Sequence, residues 1–275
     1  MVIFGSEKKH VISALFFYFL TIVSGCNLPQ YYNDFDSRFD WHDDIRFGVP
    51  DPPLGETYSF IVLADLHINI KEDAEKFANI KSKLIPGDRF IVIAGDITTE
   101  GTREQIQYYL NAVNDIGLPC YPVIGNHDIH TERGKAWKEL IGSTIYRIDS
   151  PGTSLFILDN ANAAFGYEQL DWLERELGSA EKNTFVFAHQ NFFIDSSPPD
   201  FEQVSDIRER AMVMSLLENR CDVMFMGHLH KRIIKEFNGV NYIVLDKYEQ
   251  NSGIESFCRV HVSKTGISWE FDRSF

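Results

Sequence analysis

This sequence predicts a single α/β domain, and two patterns predict it. From residue 58 to about residue 230, β-branched apolar runs alternate with segments whose apolar residues repeat every three or four positions. Such alternation is typical of a largely parallel sheet covered by helices. After residue 230 only short extended segments remain, separated by turn residues, and this pattern predicts a meander of antiparallel strands.

The elements follow in order along the chain. In the alternating half, strands are predicted near residues 58–65, 90–96, 121–124, 153–158, 184–188 and 222–226. Helices are marked by apolar residues at helical spacing: Ile106, Tyr109, Leu110 and Val113; Leu170, Leu173 and Leu177; Ile207, Ala211 and Met214. In the second half, strands are predicted near residues 232–237, 241–246, 256–262 and 267–271, with turns at Asn238-Gly239 and Lys264-Thr265-Gly266.

Five short polar clusters punctuate these elements, and four of them sit at or just past the end of an apolar run. They are Asp65-Leu66-His67, Gly95-Asp96, Gly125-Asn126-His127-Asp128, His189 and Gly227-His228-Leu229-His230. The carboxyl ends of strands are where α/β proteins collect functional residues. Carboxylates, imidazoles and an amide oxygen together suit Zn, Fe or Mn, whereas a calcium site takes oxygen ligands alone. The clusters therefore predict one dinuclear metal site.

The spacing within the clusters suggests how the ligands are shared. Two cations held close together need a bridging ligand, and the two oxygens of a carboxylate can touch both, so Asp96 is the candidate bridge. Side chains two residues apart in a strand point to the same face. We therefore expect Asp65 and His67 to chelate together, and His228 and His230 to share one face and serve different metals.

The ordered set of clusters resembles the calcineurin-like metallophosphoesterase superfamily over roughly residues 58–232. The resemblance implies a two-sheet α/β/β/α sandwich that holds two divalent or trivalent metal ions (Mn, Fe or Zn). It implies that the first metal is held by Asp65, His67, Asp96 and His230. It implies that the second is held by Asp96, Asn126, His189 and His228. His127 is then left as the catalytic imidazole, and its neighbour Asp128 is a candidate to orient it.

The resemblance implies hydrolysis of a small phosphate ester. Two cations can clamp a phosphate and lower the pKa of a bridging water, so that a metal-bound hydroxide attacks phosphorus, while protonated His127 serves the leaving alkoxide. Thr99 and Glu100 stand where the related Ser/Thr phosphatase branch has an Asp and a phosphate-binding Arg, which favours a phosphodiesterase. The alternatives are a phosphomonoesterase, an enzyme acting on envelope lipids and a non-catalytic metal-binding envelope lipoprotein.

Substrate choice cannot be copied from the superfamily. After His189 the chain reads Gln190-Asn191, where many bacterial cyclic-nucleotide-phosphodiesterase-like members have a second His. Residues 191–204 lack a helix or strand period and are a candidate lid. The phenylalanines of this segment, Phe192, Phe193 and Phe201, either cover the substrate or pack the segment onto the domain. His130, three residues after His127, is a further candidate for substrate contact.

The N-terminus predicts export. Lys8, Lys9 and His10 precede an apolar stretch over residues 11–23, which is shorter than the about 20 residues that span a bilayer. Val23-Ser24-Gly25-Cys26 resembles the lipobox of bacterial lipoproteins. We expect residues 1–25 to be a signal peptide and Cys26 to be lipidated, so that the exported protein is anchored to the cell envelope. Asn27 is not the Asp that retains enterobacterial lipoproteins at the inner membrane, which favours the outer membrane or cell surface.

Residues 26–57 are expected to be a tether or docked arm, and residues 58–275 the metallophosphoesterase domain. The arm carries more aromatic residues than a solvated linker, so part of it should dock on the domain. The chain has a net charge of −14, which makes long nucleic acid an unexpected partner. Cys120, Cys221 and Cys258 lack metal-ligand or disulfide spacing and are expected to be buried apolar residues.

Overall fold

Two β-sheets form the centre of the protein in a computed structural model that describes residues 38, 40, 41, 53–193, 204–248 and 255–274. The strands are β1 Tyr58–Leu63, β2 Asp88–Ala94, β3 Cys120–Val123, β4 Tyr146–Ser150, β5 Thr153–Ile157, β6 Asn183–Phe187, β7 Val223–Met226, β8 Ile233–Phe237, β9 Val240–Val244, β10 Glu255–Ser263 and β11 Gly266–Ser274. The α-helices are α1 Lys71–Ala78, α2 Arg103–Ile116, α3 Lys135–Leu140, α4 Tyr167–Leu177 and α5 Ile207–Leu217.

The two sheets differ in the number of strands, but each contains a run of parallel strands. The five-stranded sheet has the order β11-β10-β1-β2-β3, and the six-stranded sheet has the order β4-β5-β6-β7-β9-β8. Strands β1 to β3 are parallel in the first sheet, as are β5, β6, β7 and β9 in the second. The carboxyl ends of the parallel strands within each sheet consequently share an edge.

Three apolar layers hold the sheets and helices together. One cluster lies between the sheets and includes Phe60 of β1 and Phe185 of β6, whose rings meet edge to face at 5.0 Å. Ile61 of β1 belongs instead to the cluster shared with α1, α2 and α3, and a third cluster joins the six-stranded sheet to α4 and α5. Strand β1 is apolar along nearly its whole length because both of its faces are buried. The expected α/β/β/α sandwich is confirmed.

Several elements differ from the sequence prediction. The helices predicted around Ile106, Leu170 and Ile207 are α2, α4 and α5, but the sequence pattern does not single out α1, α3 or β4. The predicted meander is wrong. The hairpin β8–β9 joins the six-stranded sheet through β7, whereas the hairpin β10–β11 joins the five-stranded sheet through β1. Partner choice between sheets depends on long-range packing, which local alternation does not encode.

The predicted signal peptide, Cys26 and most of the arm lie outside the described residues, as does Phe201 of the candidate lid. Every helix in the described part of the chain is too short or too polar to cross a bilayer.

Candidate metal centre

The predicted ligands lie just beyond the carboxyl ends of five parallel strands, three from one sheet and two from the other. Asp65 and His67 follow β1, Asp96 follows β2, Asn126 follows β3, His189 follows β6, and His228 and His230 follow β7. Both sheets therefore deliver side chains to one edge, as the sequence predicts.

The backbone at this edge is not extended, so the strand-alternation argument for Asp65 with His67 and for His228 with His230 does not describe it. The residues Asp65, His67, Asp96, His228 and His230 have φ values of 58°, 47°, 49°, 75° and 53°. Such left-handed conformations are rare for residues other than glycine and cluster at functional sites. The left-handed turns after the strands, rather than the pleat of a strand, aim these side chains.

Two glycines allow the loops to approach each other closely. A Cβ atom at Gly125 would lie 2.2 Å from both the backbone nitrogen and Oδ1 of Asp96. A Cβ atom at Gly95, whose φ is +91°, would lie 2.2 Å from Nδ1 of His189. Any larger residue at either position would displace a predicted ligand.

One group of candidate ligands consists of Asp65, His67 and His230, each of which offers one atom within 4.8 Å of the others. The Nε2 atoms of His67 and His230 are 3.1 Å apart, and His230 Nε2 is 3.5 Å from Asp65 Oδ1. The backbone N–H of His228 donates to both oxygens of Asp65 and fixes this carboxylate. Two imidazole nitrogens and a carboxylate oxygen thus converge as the ligands of a transition metal do.

A second group consists of Asp96, His189 and His228. Nε2 of His189 lies 3.2 Å from Asp96 Oδ2 and 3.1 Å from the amide oxygen of Asn126, which adds a fourth oxygen or nitrogen donor. Asp96 also forms a group with His67 and His127, so it lies between the two sets of ligands. This position is the one that a bridging carboxylate requires.

Burial and nearby carboxylates shift the pKa values of three predicted ligands, His67, His228 and His189, in different directions. Burial lowers the pKa of His67 and of His228 to about 4, so both are neutral at physiological pH, as ligands must be. Burial also opposes protonation of His189, but the charges of Asp96 and Asp65 outweigh it and raise its pKa to about 9. In the metal-free protein a proton on His189 therefore supplies the positive charge that Asp96 needs.

The residues present fit two transition-metal cations. Their donors are imidazole nitrogens, carboxylate oxygens and one amide oxygen, and Asp65 and Asp96 are both buried. Nδ1 of His189 donates to the carbonyl of Ala94 at 2.9 Å, so its Nε2 faces the other donors. The grouping coincides with the ligand sets that the resemblance implies, and the assignment of each ligand to a metal stays a prediction.

His127 lies beside this cluster, and its partner is not the predicted one. Its Nδ1 donates to the backbone carbonyl of Thr99 at 2.8 Å, while its Nε2 lies 4.0 Å from Asp96 Oδ2. The interpretation of Asp128 as the residue that orients His127 is therefore wrong. A carbonyl group performs that role, and a sequence cannot reveal it because every residue has one.

Asp128 instead joins the loop after β3 to the loop after β2. Its buried carboxylate accepts the backbone N–H groups of Gly125, Ile97 and Thr98 and the hydroxyl of Thr98, at 2.7 to 3.2 Å. Burial, with a smaller contribution from the charge of Asp96, raises the pKa of Asp128 to about 6. Asp128 positions the backbone around the predicted ligands rather than the ring of His127.

Sequence reasoning missed Asn160, which follows β5. Its Oδ1 accepts the backbone N–H groups of His189 and Gln190, each at 2.9 Å, and its Nδ2 donates to the carbonyl of Gln190. The available signal was its place just beyond an apolar run, the same signal that identified the ligands.

The candidate substrate-contact residues fall into two classes. Phe192 is 4% exposed and packs against Phe165, while Phe193 stacks on Phe237 at 5.9 Å, so both of these rings pack on the domain. The ring of His130, by contrast, is centred 4.6 Å from that of His127, and its Nδ1 lies 3.6 Å from a carboxylate oxygen of Glu100. His130 and Glu100 therefore form a polar rim next to the ring of His127.

Comparison with known proteins agrees with the predicted metal centre. A family model described as calcineurin-like phosphoesterase matches residues 58–232, which include every predicted metal ligand. The chain belongs to the calcineurin-like phosphoesterase family. The chain's fold is similar to that of a purple acid phosphatase from yellow lupin, with a TM-score of 0.63 at 14% identity, over 82% of this chain and 53% of that one.

Two curated relatives in this family carry phosphodiesterase names. A probable cyclic nucleotide phosphodiesterase from Fibrobacter succinogenes is 26% identical over 52% of this chain and 58% of its own length. A 3′,5′-cyclic-nucleotide phosphodiesterase from Nostoc is 24% identical over 67% of this chain and 76% of its own. The chain thus spans little more than half the length of the first of these relatives.

Proposed function

We propose that this calcineurin-like phosphoesterase hydrolyses a small phosphodiester with two metal ions held at the shared edge of its sheets. The observation that carries the proposal is the position of Asp96. It lies between one ligand group of Asp65, His67 and His230 and another of His189 and His228, with His127 beside it. A purely metal-binding protein has no need of an imidazole in that place.

When bound, two such cations neutralise the charge of the phosphate and activate water as a nucleophile at neutral pH. The residues of the chain supply the rest. The backbone carbonyl of Thr99 accepts the hydrogen bond from Nδ1 of His127 and so directs Nε2 toward the site, from which the imidazolium form of the ring would donate its Nε2 proton to the leaving oxygen. Asp128 and Asn160 fix the loops that present the ligands.

Glu100 supports a diester over a monoester. Its carboxylate lies next to His130, at the rim beside His127, where it adds negative charge to the approach. A phosphate monoester carries a second ionisable oxygen at neutral pH and is repelled more strongly than a diester by such a group. The phosphodiesterase names of the two relatives point in the same direction.

The test is hydrolysis of an aryl phosphate diester and of the matching monoester by the chain starting at Asn27, with added Mn²⁺. The Asp96→Asn variant is the inactive control, and Asp171→Asn, at an exposed position of α4, is the matched charge control. The proposal is supported if the diester is hydrolysed faster than the monoester and if this activity is lost in Asp96→Asn but kept in Asp171→Asn. Monoester preference would replace it with a phosphomonoesterase, and turnover equal to that of Asp96→Asn on both esters would favour the non-catalytic metal-binding lipoprotein.

We further propose that the protein is exported and anchored by a lipid on Cys26. The support is the sequence alone: a basic start, a short apolar stretch and Val23-Ser24-Gly25-Cys26. A bacterial host expressing the full chain with labelled palmitate tests it. We expect label in the protein and in the membrane fraction, and Cys26→Ser should lose both. Unlabelled protein in the soluble fraction would contradict the anchor.

A further inference from the structure

A buried ion pair connects the arm before β1 to the domain. Nε of Arg38 lies 2.6 Å from Oδ2 of Asp159, and its Nη2 lies 3.1 Å from Oδ1, which makes a two-pronged contact. The two side chains are 3% and 0% exposed. Such a contact orders the arm at Arg38, because a planar guanidinium and a carboxylate fit in one geometry.

The carboxylate that Arg38 meets belongs to the loop after β5. Oδ1 of Asp159 also accepts the N–H of Ala161 at 3.1 Å. The side-chain amide of Gln169 in α4 forms two hydrogen bonds with the backbone of the same residue: its oxygen accepts from the N–H of Asp159, and its nitrogen donates to the carbonyl of Asp159. The loop is therefore fixed from the arm on one side and from α4 on the other.

The middle residue of this loop is Asn160, and its side chain fixes the loop that carries a predicted metal ligand. Oδ1 of Asn160 accepts the N–H groups of His189 and Gln190. Arg38 is thus linked to His189 through Asp159 and the adjacent Asn160. Each link is a buried hydrogen bond or a peptide bond between neighbours. A displacement of Asp159 is therefore expected to displace the backbone of His189 as well.

We propose that Arg38 is a positioning residue of the metal centre, and that it acts through Asp159 and Asn160 on His189. Through Arg38 the arm then supports the metal centre rather than serving only as a tether. The inference rests on the proposed function only in requiring that the His189 group binds a metal. Residues that support metal ligands typically change metal affinity by about 10- to 100-fold when they are removed.

The decisive variant is Arg38→Met, which keeps much of the volume of the side chain but leaves Asp159 without its buried counter-charge. The matched control is Trp41→Ala. Trp41 belongs to the same arm, and the centre of its ring lies 4.8 Å from Nζ of Lys138 in α3. The double variant Arg38→Met/Asp159→Asn removes both charges, so it remains informative where the single variant fails to fold.

The measurement is Mn²⁺ binding followed by electron paramagnetic resonance, which needs no substrate. We expect the unaltered protein to bind two ions and Arg38→Met to bind one of them at least about tenfold more weakly. Trp41→Ala should match the unaltered protein. In a His189→Ala background, which retains the Asp65–His67–His230 group, adding Arg38→Met should leave the remaining affinity within about twofold.

Three results would overturn the inference. Unchanged Mn²⁺ affinity in both Arg38→Met and the double variant would show that the arm only packs on the domain. Equal weakening by Trp41→Ala would show that arm docking in general, not the contact with Asp159, is what matters. Failure of the unaltered protein to bind two ions would refute the proposed function itself, and this inference with it.

Discussion

The Nδ1 atom of His127 donates a hydrogen bond to the backbone carbonyl of Thr99 at 2.8 Å. This contact joins the loop after β3 to the loop after β2 and decides which ring nitrogen faces the metal centre. The carbonyl cannot ionise, so it holds the ring without adding a second charge. The ring of His127 is thereby supported by the backbone rather than by a carboxylate.

Replacing His127 with Ala should reduce phosphodiester turnover by about 10²- to 10⁴-fold, because a proton donor at the leaving oxygen is lost. Metal content, measured by mass spectrometry of the isolated protein, should stay nearly unchanged. Thr99→Ser is the matched control. It keeps both the carbonyl and the hydroxyl that bonds the carbonyl of His67, so its turnover should be close to normal. Loss of metal from His127→Ala would contradict this division of roles.

Asp96→Asn should remove turnover and weaken both metals together. The amide has one oxygen in place of two, and the uncharged group no longer balances the cations. Titration with Mn²⁺ should show two weakened sites, in contrast to a variant of His228, which should weaken one. Retention of a single tight site in Asp96→Asn would show that the carboxylate does not bridge.

Asp128→Ala should lower the free energy of unfolding by about 3 kcal/mol, because four buried donors lose their acceptor at once. Urea denaturation of the metal-free protein measures the change. Asp128→Asn keeps an oxygen acceptor and should be affected less. The pH dependence of turnover in Asp128→Asn should keep its shape, since Asp128 does not touch the ring of His127. A displaced pH profile would restore Asp128 as the orienting group.

Glu100→Gln should increase monoester hydrolysis relative to diester hydrolysis by roughly threefold or more. The removed charge is about half exposed, so its effect on a substrate is moderate. The ratio of the two kcat/KM values is the relevant measurement, since it is independent of the fraction of active enzyme. Glu174→Gln, at an exposed position of α4, should leave the ratio unchanged. A ratio insensitive to Glu100 would remove the argument for diester preference.

The three described cysteines should be inert in the folded protein. Cys120, Cys221 and Cys258 are buried free thiols, and burial raises the pKa of each, that of Cys120 to about 12. Because the thiolate is the reactive form, labelling by Ellman's reagent at pH 8 should be slower than in urea by about a thousandfold. The chain starting at Asn27 should release three equivalents of thionitrobenzoate per molecule, and only after unfolding. Rapid labelling of the native state would show that one of these sites opens.

Much of the metal centre is visible in the sequence because its residues follow apolar runs. The positions of Asp65 and Asp96 at one sheet edge can be predicted from the sequence, since parallel strands share their carboxyl ends, and His189 is marked by its place just past the end of another apolar run. The left-handed backbone at Asp65 and Asp96 cannot, because such conformations are imposed by tertiary contacts on residues that rarely adopt them.

The supporting contacts are hidden for a different reason. Thr99 acts through its carbonyl, and Asn160 acts through its position beside His189, which lies 29 residues later in the chain. Local patterns reveal neither a backbone acceptor nor a long-range pairing. The same limitation explains the hairpins β8–β9 and β10–β11, whose turns are evident in the sequence but whose membership of separate sheets is not.

The distribution of the ligands over both sheets has a consequence for assembly. His67 and His230, whose ring nitrogens are 3.1 Å apart, are separated by 163 residues of sequence. Neither sheet can complete the centre by itself, so ribosomes must finish nearly the whole domain before a pair of ions can be captured. Metal loading therefore comes late in folding, after the chain has been synthesised at least as far as His230.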